Sequence, residues 1–183
     1  MILDAAITLF LRDGYSATSM EAVAAASGVS KRTLYARFPD KAALFQAAVT
    51  RLIAKWMPSF EAALEHAESL EDALLRAARQ MLAAALAPEA LALYRLVIAE
   101  AERFPELGRV LQQAGAGGAV ARIADLLRNA EIADPVWAAE QFQRLVLTGP
   151  QHRALGLGTS FTVAEVESWA QRSVALFLRG CTG

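Results

Sequence analysis

The chain lacks most of what would give it a membrane or catalytic role. No charge-free apolar run comes near the roughly 18 residues that a spanning helix needs, so no membrane span is expected. The opening Met1-Ile2-Leu3-Asp4 has no basic stretch, which speaks against a signal peptide. Cysteine occurs once, at Cys181, so an internal disulfide is impossible and a cytoplasmic chain is the expectation. Histidine occurs twice, at His66 and His152. Neither belongs to a Glu-x-x-His pair, so a carboxylate-bridged di-iron bundle has no basis, and no cofactor is expected. Ser160 stands in Gly-Thr-Ser-Phe-Thr instead of a Gly-x-Ser-x-Gly elbow, which removes an esterase. An acid/base set of Glu100, Glu102, Glu106 and His152 is conceivable only as the enzyme alternative. A helical protein-interaction module is the other alternative. No excess of one charge is present either: the net charge is −1.

What is present is helical spacing. Hydrophobic residues make up 55% and charged residues 20% of 183 positions, with six prolines and no convincing strand pattern. These features indicate an all-α fold with ample core and about nine helices. Charge is unevenly spread. Residues 1–55 hold seven Lys/Arg against four Asp/Glu, net +3, while 56–183 hold eleven against fifteen, net −4. A basic head on an acidic body is the asymmetry expected where only the head meets phosphate.

That head contains TSMEAVAAASGVSKRTLYARFPDK, residues 18–41. Thr18 followed by Glu21 reads as a capping box, so a helix should begin near Ser19. Met20, Val23 and Ala24 form its apolar stripe. Gly28 supplies the left-handed residue that stops it, and Val29 should bury in the turn. Ser30 is an N-cap for a second helix over 31–38, in which Leu34 and Phe38 share one face, and Pro39 ends it. Its outward residues are Lys31, Arg32, Thr33, Tyr35, Ala36 and Arg37, a set of donors suited to phosphates and base edges. Asp40 is an N-cap for the next helix, and Lys41 follows it. Two short helices joined by a tight turn, the second polar and basic outside, are the layout of a helix-turn-helix DNA reader.

Residues 2–47 resemble the DNA-binding domain of TetR/AcrR-family transcriptional regulators. Phe10, Gly14, Thr18, Gly28-Val29-Ser30, Thr33-Leu34-Tyr35, Phe38 and Lys41 stand where that family has them. The resemblance implies a three-helix DNA-binding domain over 1–45 and a helical regulatory and dimerisation domain over 46–183. It implies phosphate contacts from Thr18, Lys31, Thr33, Tyr35 and Lys41, with Arg32, Ala36 and Arg37 nearer base edges; Ser30 completes the candidate DNA-binding set. Family members usually carry a short basic arm before the first helix, which this sequence does not display.

The second part resembles the C-terminal domain of the AefR-like branch, through LYRLVIAEAERFPEL and AAEQFQRLVLTGPQHRALGLG. Its helices are expected over about 69–87, 89–103, 105–130, 135–148 and 163–179, with Pro58 kinking or ending the helix before them and Pro88 breaking another. The run Gly115, Gly117, Gly118 follows no strand and is read as a weak point in a helix. The resemblance implies a small hydrophobic ligand in a cavity lined by Trp56, Phe60, Met81, Tyr94, Ile98, Phe104, Phe142 and His152, with Tyr94, Arg95, Glu100, Gln141 and His152 as polar candidates. It also implies a homodimer through the last two helices, with Trp137, Leu145, Val166, Trp169, Ser173 and Phe177 at the interface. Such a protein is a ligand-released repressor on a near-palindromic operator.

Overall fold

The computed structural model describes residues 1–55 and 57–181, without the side chains of 57, 58 and 112–117. Among the described residues the chain forms ten helices and no strand: α1 (Ile2–Asp13), α2 (Met20–Ser27), α3 (Lys31–Arg37), α4 (Lys41–Ala54), α5 (Met57–Glu65), α6 (Leu70–Ala85), α7 (Pro88–Glu100), α8 (Pro105–Asn129), α9 (Pro135–Ala154) and α10 (Val163–Cys181). No single one of them is long and apolar enough to cross a membrane.

The about nine helices expected are ten, and proline chemistry explains the added one. Pro58 does not end a long helix; α4 stops at Ala54, and Pro58 lies in the first turn of α5. There its missing N–H removes nothing, because first-turn N–H groups have no partner inside a helix. Pro88, Pro105 and Pro135 likewise open α7, α8 and α9. The glycine run at 115–118 lies inside α8.

The chain divides into two compact units. The first comprises Met1–Lys55 and Ala92–Gly115, the second Trp56–Leu91 and Ala116–Gly183. A division at 45–46 therefore falls inside α4, and the unit that contains the reader also takes in most of α7 and the start of α8. In the first unit α1 packs on α2 and α4. Phe10, Tyr15, Phe45 and Phe104 meet there edge to face or stacked, with ring centres 4.8–5.7 Å apart. Such pairs add to the burial of the rings themselves. A void of about 10 Å³ remains among Ile7, Phe10, Phe45, Leu52 and Leu93, room for about one water.

In the second unit α6 packs on α5, α9 and α10, and α9 on α10. Leu74, Leu82, Ile123, Leu127, Phe142 and Val146 are almost wholly buried at its centre. Ser69 caps α6 by accepting the Asp72 N–H at 3.1 Å. Helix α9 continues past Thr148 through Pro150 to Ala154. Pro150 has no N–H to give the carbonyl of Val146, four residues back, and the Trp169 indole N–H fills that place at 2.9 Å. Gly149 leaves the space the indole occupies, since a Cβ there would stand 2.7 Å from two ring carbons.

Gly149→Ala is therefore expected to lower the free energy of unfolding by about 1–3 kcal/mol through overpacking. Trp169→Phe, which keeps a ring but loses the N–H, should lower it by about 1 kcal/mol. Urea melts measure both; two unchanged midpoints would contradict the pairing of Trp169 with the proline site.

Candidate nucleic-acid interface

The reader is assembled from α2, its turn and α3. Ser19, not Thr18, caps α2: its Oγ accepts the Ala22 N–H at 3.1 Å. Thr18 is engaged elsewhere, its hydroxyl donating to the Gly14 carbonyl at 2.8 Å and its N–H to the same oxygen at 3.3 Å. Both hydroxyls fit the start of a helix by sequence, and the bond to Gly14 decides between them. The Glu21 carboxylate accordingly does not return to Thr18; it pairs with Lys31 Nζ at 3.4 Å. A bond from its own backbone N–H, then the Lys31 ammonium, hold the Glu21 carboxyl below the usual range.

Gly28 ends α2 at φ 71° and ψ 18°. Its N–H reaches the Ala25 carbonyl and the Val29 N–H the Ala24 carbonyl, at 3.3 and 3.1 Å, closing a Schellman motif. Val29 is half-buried. Ser30 Oγ accepts the Thr33 N–H at 3.1 Å and bonds its hydroxyl at 2.8 Å. This capped helix buries Leu34 completely, with Phe38 behind it at 8% exposure. Lys31, Arg32, Thr33, Tyr35, Ala36 and Arg37 are all exposed. Tyr35 is a large aromatic held 45% in solvent, a placement without a packing reason. At 1.5 Å per residue the seven residues of α3 span about 10 Å, short enough to enter a major groove about 12 Å wide.

Lys41 and Thr18 do not share that exposed face. Thr18 is 3% exposed. Lys41 Nζ donates to the carbonyls of Tyr15, Ser16 and Thr18 at 2.8, 3.2 and 3.0 Å and sits 4.7 Å from the Tyr15 ring centre. An ammonium has three N–H bonds, so all are in use. Burial lowers the Lys41 pKa, Glu100 pulls it back up, and Arg103 pushes it down. Two residues that local reading does not connect with the reader complete this region. Glu100 accepts the Ser16 N–H at 2.9 Å, and Arg103 donates to Ser16 Oγ at 3.0 Å. They lie more than 80 positions from Ser16, so no local pattern points to them.

Residues 2–48 match the family described as bacterial regulatory proteins, tetR family. Residues 72–180, more than half the chain, match the AefR-like transcriptional repressor C-terminal domain. The chain belongs to the TetR family. Among solved structures it is similar to a TetR-family transcriptional regulator from Mesorhizobium loti MAFF303099, at 34% identity over 98% of this chain and 94% of that one, with TM-score 0.82. It is also similar to the flavonoid-responsive regulator FrrA, at 33% identity over 98% and 94%, with TM-score 0.77. The HTH-type transcriptional repressor ComR of Escherichia coli (strain K12) is 42% identical over 73 residues, 39% of this chain and 35% of ComR. That alignment thus spans about a third of ComR.

The residues that the TetR resemblance marked for a ligand are divided between the two units. Phe60, Met81 and Phe142 are closed into the core of the second unit, at 4%, 6% and 0% exposure. Tyr94, Ile98 and Phe104 belong to the first unit; Ile98 is exposed and Phe104 packs on Tyr15. His152 is exposed on α9, and Trp56 lies outside the described residues. Of the polar candidates, Glu100 is committed to Ser16, while Gln141 is half-buried. The interface set divides as well. Val166, Trp169 and Phe177 lean on the core of their own unit, and Ser173 is buried in it. Leu145 is half-buried and Trp137 stands 60% exposed. Amphipathic spacing marks Val166, Trp169 and Phe177 as inward without saying whose interior they fill. Among the described residues no group of three or more His, Cys, Asp or Glu is placed to hold a metal ion.

Because nothing lies within 4 Å of a Cβ built on Gly28, replacing it tests backbone conformation alone. Gly28→Ala should cost about 1–2 kcal/mol of stability and Gly28→Asn less, since Asn tolerates the left-handed region. Equal midpoints for the two in urea would count against a left-handed turn.

Proposed function

We propose that the protein is a transcriptional repressor that reads a near-palindromic operator as a homodimer and is released by a small, mainly apolar molecule. The observation that carries this is α3, whose whole polar and basic face stands open while Leu34 and Phe38 anchor it. With Lys41 held by its own loop, Arg37 takes its place on the phosphates beside Lys31, Thr33 and Tyr35, and Arg32 reaches the base edges with Ala36 beside it. Lys31 must exchange Glu21 for a phosphate, a modest step because both partners are exposed. A helix this short covers too little DNA for tight binding alone, so two heads related by a two-fold axis are needed, facing half-sites about 34 Å or a multiple apart.

The exposed Trp137 and Leu176 and the half-buried Leu145 are apolar side chains that α9 and α10 leave open for a second copy. FrrA, by its name, responds to a flavonoid. That relative, 33% identical over nearly the full length, supports a small-molecule signal received in the helical body of this chain. Such a signal weakens DNA binding about 5- to 150-fold at the usual 1–3 kcal/mol of coupling.

Selection from a random-sequence duplex pool should enrich an inverted repeat, bound with a log–log salt slope of about −3 to −4 for four cationic phosphate contacts per dimer, Lys31 and Arg37 from each head. Lys31→Ala should flatten that slope by about 2, one contact being lost from each head. A pool that stays random would end the DNA reading. Sedimentation should show a dimer at micromolar concentration that Trp137→Glu dissociates; a monomer indifferent to that change would exclude this interface.

A further inference from the structure

On the DNA-reading function proposed above, we infer that Lys41 and Glu100 are positioning residues of the reader, which together clamp the 14–18 loop and set where α2 and α3 lie, and that Lys41 carries no phosphate. The two residues hold the same peptide from opposite polarities. Lys41 takes the carbonyls of Tyr15, Ser16 and Thr18, while Glu100 takes the N–H of Ser16. With Arg103 on its hydroxyl, Ser16 has its N–H, carbonyl and side chain all engaged by charged groups, although the residue itself is exposed. Bonds to charged partners are the stronger kind.

The loop so held leads directly into the reader. Ser19, the cap of α2, is the next residue after Thr18, and the Thr18 carbonyl is one of the three that Lys41 grips. Helix α2 in turn carries Gly28 and the turn into α3. A loop released at Ser16 frees the N-terminus of α2, and the exposed face of α3 then spreads over orientations of which few match a groove. For Lys41 to reach a phosphate it would have to surrender all three carbonyls and expose them together, so the ammonium is worth more to the protein where it is.

Two roles for these residues predict opposite results. A phosphate ligand, when removed, flattens the salt dependence by about one unit per contact; a positioning group lowers affinity at every salt concentration and leaves the slope alone. An acidic residue near DNA that acts only by its charge, when removed, tightens binding; a positioning carboxylate, when removed, loosens it. The measurement is fluorescence anisotropy of the full chain on the duplex that the wild type enriches from a random pool, at four or more salt concentrations.

The expected result is that Lys41→Met binds about tenfold more weakly with an unchanged slope, while Lys31→Ala shows the flattened one. Glu100→Ala should also bind about tenfold more weakly, and Glu100→Gln, which keeps an acceptor for the Ser16 N–H, should recover most of the loss. In the DNA-free protein, amide exchange over 14–19 should be faster in Lys41→Met and Glu100→Ala than in the wild type. A slope flattened by about 2 in Lys41→Met, tighter binding by Glu100→Ala, or unaltered exchange in both would overturn the assignment. A wild type that enriches no duplex fails earlier and removes the DNA reading itself.

Discussion

A seven-residue helix is not stable on its own in water, and α3, the exposed helix of the reader, is such a helix. Everything that makes α3 persist comes from its surroundings. Ser30 satisfies its first turn, the Schellman closure at Gly28 fixes the direction in which it departs from α2, and Leu34 and Phe38 fasten one side to the core. With one face used up in this way, the other has no part in stability. It is free to hold Lys31, Arg32, Tyr35 and Arg37 in water, where a folding criterion alone would not place an aromatic and three cations together.

The same dependence explains which parts of the molecule are legible in its amino-acid order. Caps, the turn glycine and the Leu34–Phe38 pair act over three or four residues, so their signals are contiguous and the reader can be traced almost to the residue. The exception, Ser19 capping in place of Thr18, arises because the Thr18 hydroxyl has a rival acceptor in Gly14. Helix α5 escapes such a reading because a proline looks the same whether it stops one helix or starts the next. The extension of α9 escapes it because the group that completes the Val146 carbonyl comes from α10. Buried aromatics are ambiguous in another manner: Phe142 as core and Phe142 as a cavity wall have identical periodicity, and it is the structure that places its ring wholly buried against Phe177.

Lys41 shows how a family pattern and a particular geometry divide their authority. The residue is in the position where the TetR pattern has it. Its ammonium nevertheless points back into its own unit, toward three carbonyls of the 14–18 loop. The Glu100 and Arg103 contacts to the same loop make residues 92–115 part of what shapes the reader, although they lie far along the chain from it.

The indole bond across the proline site also limits how the second unit can deform. Parallel sliding of two packed helices normally exchanges one set of side-chain contacts for an equivalent set a turn away. Between α9 and α10 that exchange has no equivalent, because only one carbonyl is left open by Pro150 and only one recess is left by Gly149. The pair is thus locked in a single axial register. Any rearrangement that passes through it must carry both helices as one body, by tilt or rotation and not by slip.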